Sequence, residues 1–297
     1  LEGRIDEKRE HRGPYAAVFF NQSIAGMFVD LAGETARAMG PVLVHTGSAL
    51  KSVPRGVTVW PAPAYDNSSL KSRARTWSRY IAQAALDAAR IEGEKPVVFL
   101  ASNPPMLPAL GRALYAARGW PYVVQVLDVY PDVLVRQGLV RASNPGVWAF
   151  AALDRAVYAR AHAVVTLGPV MAETLAGYMP AGANAQVIPT WTDVSAVTPR
   201  EKRDNWFARE HDLIEPLVVM YSGNLGLTHD LGGLFGAARA LEGEEREGKQ
   251  AVRVLIVGNA ARLRERDPSL AEQRSVRFLP FQPAEVVPYS LSSADVG

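Results

Sequence analysis

"VVMYSGNLGLTHDL", residues 218–231, passes from a strand-like run through a glycine-bracketed turn into a helical run. Val218, Val219, Met220 and Tyr221 are β-branched, bulky or aromatic, as strands favour. Gly223 and Gly226 flank Asn224 and Leu225, so the backbone can take positive φ there or come close to a ligand. Downstream, Leu231, Leu234, Phe235 and Ala238 recur at helical spacing. A strand, a small-residue turn and a helix N-terminus together offer free N–H groups and a positive dipole end, which suits a phosphate. The alternative is a tight βα turn that needs glycine for packing alone. The GNLG spacing matches neither a P-loop nor GxGxxG, so it does not choose between the two.

The same unit recurs on both sides of this stretch. AAVFFN (16–21), PVLVHT (41–46), VTVW (57–60), PVVFLA (96–101), YVVQVL (122–127), AVVTL (163–167) and AQVIP (185–189) read as strands. Amphipathic segments such as GMFVDLAGETARAMG, SLKSRARTWSRYIAQAALDAARI, PALGRALYAARG and WAFAALDRAVYARA lie between them. The polar, proline-punctuated PTWTDVSAVTPREKRD then reads as a linker. A second series follows: LVVMYS (217–222), a helix, VRVLIVG (252–258), a helix, VRFLP (276–280), a helix and ADVG. This grammar predicts an α/β protein of two Rossmann-like βαβ domains facing a central cleft, with residues 15–195 in the first and 196–297 in the second. The second domain reads as incomplete, because the chain stops in what looks like the start of another strand. Residues 1–14 are set aside as a tail, in which LEGR resembles a fusion scar.

The 297 residues, 48% apolar with a net charge of +2, suffice for two domains with real cores. No apolar run approaches the roughly 20 residues of a membrane span. The polar start LEGRIDEKREHRG lacks the apolar core of a signal peptide. Cysteine is absent, which removes disulfides, thiolate metal sites and cysteine nucleophiles together and suits a reducing compartment.

Several chemistries are set aside. The five histidines show no HxxxH or HExxH pairing, no DxD pair is present to hold a metal–nucleotide complex, and no serine-hydrolase elbow occurs. No metal or cofactor is therefore expected. Asp128 and Asp132 of DVYPD form the best acidic pair, but Pro131 disfavours helical geometry at Tyr130, so the two need not share a face. Asp128 ends the apolar run YVVQVL, at the carboxyl edge where ligands bind in such sheets; capping the next helix is the rival role.

The ordered segments VVFLASNPPMLPAL, GWPYVVQVLDVYPDVLVRQGLV, LDRAVYARAHAVVTLGPVMAETL, VIPTWTD, VVMYSGNLG and VRFLPFQPAEVVPYSLSSADVG resemble family 4 retaining glycosyltransferases of the GT-B fold. Among these they are most similar to the bacterial subgroup that builds surface polysaccharides from nucleotide-activated, often amino or deoxy, sugars. The resemblance implies a nucleotide-sugar donor held by the second domain and a saccharide or lipid-diphosphate-linked acceptor held by the first. By position it places Gly223, Asn224, Gly226 and His229 at the donor diphosphate, and Gly258, Asn259, Phe281 and Gln282 at the nucleotide. It places Gly26 at a helix N-terminus opposite the diphosphate, and Asn103 and Asp128 on the acceptor side as the catalytic candidates.

This chain also departs from the pattern. Leu227 and His229 stand where many relatives carry arginine and lysine, Leu127 replaces a common histidine, and VIPNGVD has become VIPTWTD. Backbone N–H groups and helix dipoles must then carry more of the leaving-group charge. The family's paired glutamates would fall past Gly297, so the chain as given is expected to lack part of its catalytic equipment.

Lys71, Arg75 and Arg79 repeat at i, i+4, i+8 near Trp77 and Tyr80. Such a face suits an anionic inner-membrane surface or a lipid diphosphate, and implies a cytoplasmic protein peripheral to that membrane. The alternative is a solvated face with Trp77 and Tyr80 packed inward. Nucleic acid is not an expected partner, since the charge is near balance. Two other classes stay open: a sugar-nucleotide epimerase of the same fold, using carboxylates and histidine as acid and base, and a non-catalytic subunit.

Overall fold

A computed structural model of the chain describes residues 14–24, 26–66, 68–93, 95–192, 194–195, 197–224, 231–243, 245–246, 249–258 and 273–297. The chain divides into two compact units, with the division after Thr192.

In the first unit the buried apolar runs become strands β1 (Ala17–Phe20), β2 (Val42–Thr46), β3 (Val57–Pro61), β4 (Val97–Ala101), β5 (Tyr122–Val126), β6 (Ala163–Thr166) and β7 (Gln186–Val187). They form one sheet in the order β3-β2-β1-β4-β5-β6-β7. Every pairing in it is parallel. The helices are α1 (Gly26–Met39), α2 (Leu70–Ala89), α3 (Pro108–Arg118), α4 (Asp132–Arg136), α5 (Pro145–Tyr158) and α6 (Pro169–Ala176). Strand alternation sends Val18, Phe20, Leu43, Leu100 and Val124 to one face, where Tyr80 and Ala84 of α2, Leu114 of α3, Val157 of α5 and Leu175 of α6 cover them. The alternate residues Ala17, Phe19, Val42 and Val44 meet Phe28 and Ala32 of α1 on the other face. Two covered faces explain why these strands read as unbroken apolar runs.

Local signals set the helix bounds. Ser69 caps α2 by accepting from the Ser72 amide at 3.0 Å. Asn144 caps α5 by accepting from the Gly146 amide at 2.8 Å, and Pro145 fills the first helical position. The helix therefore starts ahead of the WAFAALDRAVYARA stretch.

The second unit holds α7 (Trp206–Glu210), β8 (Leu217–Ser222), α8 (Gly232–Ala240), a small hairpin of β9 (Glu245–Arg246) and β10 (Lys249–Gln250), β11 (Val252–Val257), β12 (Val276–Leu279) and α9 (Val287–Leu291). A parallel sheet runs β12-β11-β8. Val296 bridges Val219 in parallel on the other side of β8. The Asp295 carboxylate helps to hold this segment, accepting from the Val218 amide at 2.7 Å and from Lys202 Nζ at 2.5 Å. One sheet face packs on Phe207 and Leu213, the other on Phe235 and Ala238. Each unit is thus an α/β layer structure with a parallel sheet. Strand order reverses at β1 in the first and at β8 in the second, and ligands bind such sheets beyond the carboxyl ends at that reversal.

Candidate active site

In the first unit the reversal falls between β1 and β4, and Gln22, just past β1, organises the edge. Its amide donates to the Asn103 carbonyl at 3.1 Å, and its own carbonyl accepts from Gly47 at 2.9 Å. Its Nε2 donates to the carbonyls of Pro63 and Thr76, each at 3.1 Å. One fully buried residue therefore ties together the segments following β1, β2, β3 and β4 and the first turns of α2. Ser102 does the same toward β5, donating its amide to Gln125 and accepting from the Leu127 amide at 2.9 Å.

These ties bring Asn103 and Asp128 to one carboxyl edge. Asp128 is exposed there, and Asn103 is half-buried. Gly26 opens α1 on the same edge and is exposed; among the described residues, a Cβ added to it would meet nothing within 4 Å. The two aspartates of DVYPD go separate ways. Asp132 begins α4 and accepts a hydrogen bond from the Tyr178 hydroxyl, while Pro131 occupies the cap of α4 and supplies no side-chain bond. Behind Asp132, burial pushes the Asp154 carboxyl up to about 7, and the Asp132 charge adds to the shift.

His45, at the end of β2, is fully buried, with Nε2 3.3 Å from Asp87 Oδ2. Burial lowers its pKa against the opposing pull of Asp87, so it sits in the core as a neutral ring. Asp87 is also held by Gln83 Nε2 at 2.7 Å and Arg90 Nη1 at 2.8 Å.

In the second unit, Gly223 and Asn224 follow β8, Gly258 follows β11, and Phe281 and Gln282 come two and three residues after β12. The Gly258 amide donates to Leu279 at 2.9 Å and the Gly223 amide to Val257 at 3.0 Å, so the three strand ends are stitched side by side. A Cβ on Gly258 would lie 2.3 Å from the Gly223 carbonyl oxygen and 3.7 Å from Phe281 Cε1. Among the described residues, a Cβ on Gly223 would meet only the Tyr221 hydroxyl, at 3.8 Å. Among these residues, the packing demand for glycine thus falls on Gly258 and not on Gly223. The Tyr221 hydroxyl donates to the Asn224 carbonyl at 3.1 Å, and Gln282 Nε2 to the Pro280 carbonyl at 2.8 Å. Phe281 is 55% exposed. Gly226, His229 and Asn259 lie outside the described residues, as does the stretch joining the turn to α8.

Lys71, Arg75 and Arg79 are all exposed on α2. Trp77 is half-buried and stacks on Tyr65, and Tyr80 is fully buried in the core. The two aromatics therefore pack inward rather than joining the basic face. Sequence reasoning passed over Gln22 and Arg73. The polar run Asn21-Gln22-Ser23 directly after a buried strand was the available signal for the first; Arg73 was hidden among better-spaced basic neighbours.

Parallel α/β units whose candidate residues gather at the carboxyl ends of the strands are the architecture of GT-B glycosyltransferases, and solved structures of that class resemble this one. Anabaena Alr3699/HepE in complex with UDP and glucose is 15% identical, with a TM-score of 0.62 over 94% of this chain and 72% of that one. Sucrose-phosphate synthase from Thermosynechococcus elongatus is 15% identical, with a TM-score of 0.68 over 95% and 74%. WaaG, a glycosyltransferase involved in lipopolysaccharide biosynthesis, is 15% identical, with a TM-score of 0.57 over 94% and 73%. A search of curated proteins finds no match. The glycosyl transferase 4-like domain family matches residues 22–191, and the chain belongs to that family. Among the described residues, no helix is long and apolar enough to cross a membrane.

Proposed function

We propose that the protein transfers a hexosyl or amino-sugar group, with retention, from a nucleotide-sugar donor to a saccharide acceptor in bacterial surface-polysaccharide synthesis. The turn at Gly223 and Asn224 carries this reading: it sits at the carboxyl end of β8 where strand order reverses, and among the described residues only the Tyr221 hydroxyl comes within 4 Å of a Cβ on Gly223. The structural neighbours lend support, since HepE is seen with UDP-glucose and WaaG serves lipopolysaccharide synthesis.

The Gly223 amide is already engaged with Val257, so donors to a diphosphate begin at Asn224. A departing nucleoside diphosphate develops negative charge on oxygen, and each preorganised donor there lowers the barrier by roughly 3–4 kcal/mol. Phe281 offers its exposed ring to the nucleotide base, Gln282 borders it, and Asn103 and Asp128 address the acceptor. No step in this scheme calls for a metal.

With magnesium chelated, a nucleoside diphosphate at a hundredfold over Kd should stabilise the protein by about 2.7 kcal/mol, read as a higher melting temperature. Gly223→Val places a branched group beside the turn and should remove that shift while keeping a cooperative transition. If uridine, guanosine, adenosine and thymidine diphosphates all leave the wild-type transition unmoved, or if Gly223→Val responds in full, the donor assignment is wrong.

The exposed Lys71, Arg75 and Arg79 would hold the protein at the anionic cytoplasmic surface of the inner membrane, each charge contributing about 1 kcal/mol. Changing all three to glutamate should abolish co-sedimentation with phosphatidylglycerol vesicles. Undiminished sedimentation would reduce the stripe to a solvated helix face.

A further inference from the structure

We propose that Arg73, with Tyr65, Trp77, Tyr130 and Asp128, forms a site at the carboxyl edge of the first sheet that recognises a phosphate-bearing sugar. Helix α2 shows why. Tyr80 and Ala84 are fully buried against the sheet. Trp77 and Arg73 continue the same helical face one and two turns earlier, toward the helix N-terminus that follows β3 at the carboxyl edge. Arg73 Cζ lies 5.9 Å from the Trp77 ring centroid. That indole in turn is parallel to Tyr65, with centroids 6.4 Å apart and planes 6° apart.

Among the described residues, no carboxylate forms an ion pair with Arg73, and its buried Nε has no hydrogen-bond partner; the buried Trp77 Nε1 likewise has none. Tyr130 stacks on Phe150, with centroids 6.2 Å apart. Burial and then the Asp128 charge raise the Tyr130 hydroxyl, while Arg73 lowers it, so guanidinium and carboxylate both lie within electrostatic reach of one phenol.

The chemistry follows from these parts. A partly desolvated guanidinium whose Nε has no hydrogen-bond partner among the described residues is costly, and its planar fork fits the oxygens of a phosphate. Aromatic faces take the apolar side of a sugar ring, as in other small-molecule sites. The Asp128 carboxylate accepts from sugar hydroxyls and repels the phosphate, which orients the anionic end toward Arg73. Lys71, Arg75 and Arg79 stand on the opposite side of α2 and do not read this phosphate. Calling the bound sugar the acceptor rests on the glycosyltransferase reading; the phosphate site itself does not.

Titration calorimetry of the full chain with glucose 1-phosphate and with glucose tests the site. The nucleoside diphosphate giving the largest melting shift is kept at saturation to fill the donor turn, or omitted if none shifts it. Wild type should prefer the sugar phosphate by about tenfold or more, the worth of one charged hydrogen bond. Arg73→Gln should erase the preference, Arg73→Lys should keep part of it, and a Lys71→Gln, Arg75→Gln, Arg79→Gln triple variant should keep all of it. A wild type without preference, or Arg73→Gln with full preference, overturns the site. Retained nucleotide binding in either case leaves the donor reading standing, and a preference that depends on Arg73 without any nucleotide shift does the reverse. Sedimentation with zwitterionic vesicles carrying polyprenyl-phosphate-linked glucose separates the sources. Loss in Arg73→Gln assigns the phosphate to a lipid-linked sugar, and unchanged sedimentation assigns it to a soluble one.

Discussion

Gly258→Ala should be the most damaging small substitution in the second unit, lowering its stability by about 3 kcal/mol through backbone strain and overpacking together. The added methyl would fall 2.3 Å from the Gly223 carbonyl oxygen, a backbone atom fixed by the parallel pairing of β8 and β11. Gly258 also has φ +155, outside the range alanine readily adopts. Relief requires β8 and β11 to part at their carboxyl ends, which would also move Asn224. Loss of the nucleotide-dependent melting shift should accompany the loss of stability. Gly223→Ala is the control: with its nearest neighbour among the described residues at 3.8 Å, it should lose only about 1 kcal/mol from its backbone conformation. Urea unfolding of the two variants decides the matter, and equal losses would refute the close approach.

Asp154→Asn should stabilise the protein, and increasingly so as pH rises. Asp154 is buried on α5, facing Asp132 at the start of α4, Tyr158 one turn along its own helix, and Tyr178, over whose ring Arg155 lies. Its folded pKa is raised from 3.8 to about 7, so between these values the folded state holds a proton that the unfolded state has released. Stability therefore falls as pH rises through that window. By pH 8 the ionised carboxyl contributes about 2–4 kcal/mol against folding. The neutral amide of asparagine escapes this penalty. Denaturant unfolding should show a gap between variant and wild type that is small at pH 4, widens to pH 7 and then levels. A gap independent of pH, or a variant weaker than wild type at pH 8, would remove Asp154 from the account.

Much of the fold was legible because both faces of each sheet are covered. VVFLA, YVVQV and VRVLIV have to be apolar along their whole length, and the boundaries they suggest fall within a residue or two of the observed strands. The position of Asp128 was legible for the same reason, since it closes such a run, whereas Asn103 was picked out only by the family resemblance. What could not be read was the traffic between loops distant in sequence. Gln22 contacts Thr76 across 54 residues, and Tyr178 reaches Asp132 across 46. No local pattern marks such pairs. Helical spacing picked out Lys71, Arg75 and Arg79 on the outside of α2, whereas the significance of Arg73 depends on Tyr130, which a different loop supplies.

The bond from Gln22 to Thr76 also has a mechanical meaning. Helix α2 carries cations outward and an arginine inward, and a buried carboxamide pins its second turn to the same residue whose amide holds the Asn103 peptide. Between the Thr76 carbonyl and the Asn103 carbonyl there are just two hydrogen bonds and one residue, with no slack to absorb a displacement. A displacement of the second turn of α2 is therefore passed through Gln22 to the loop after β4. Seen this way, α2 is a lever, and Gln22 is its fulcrum.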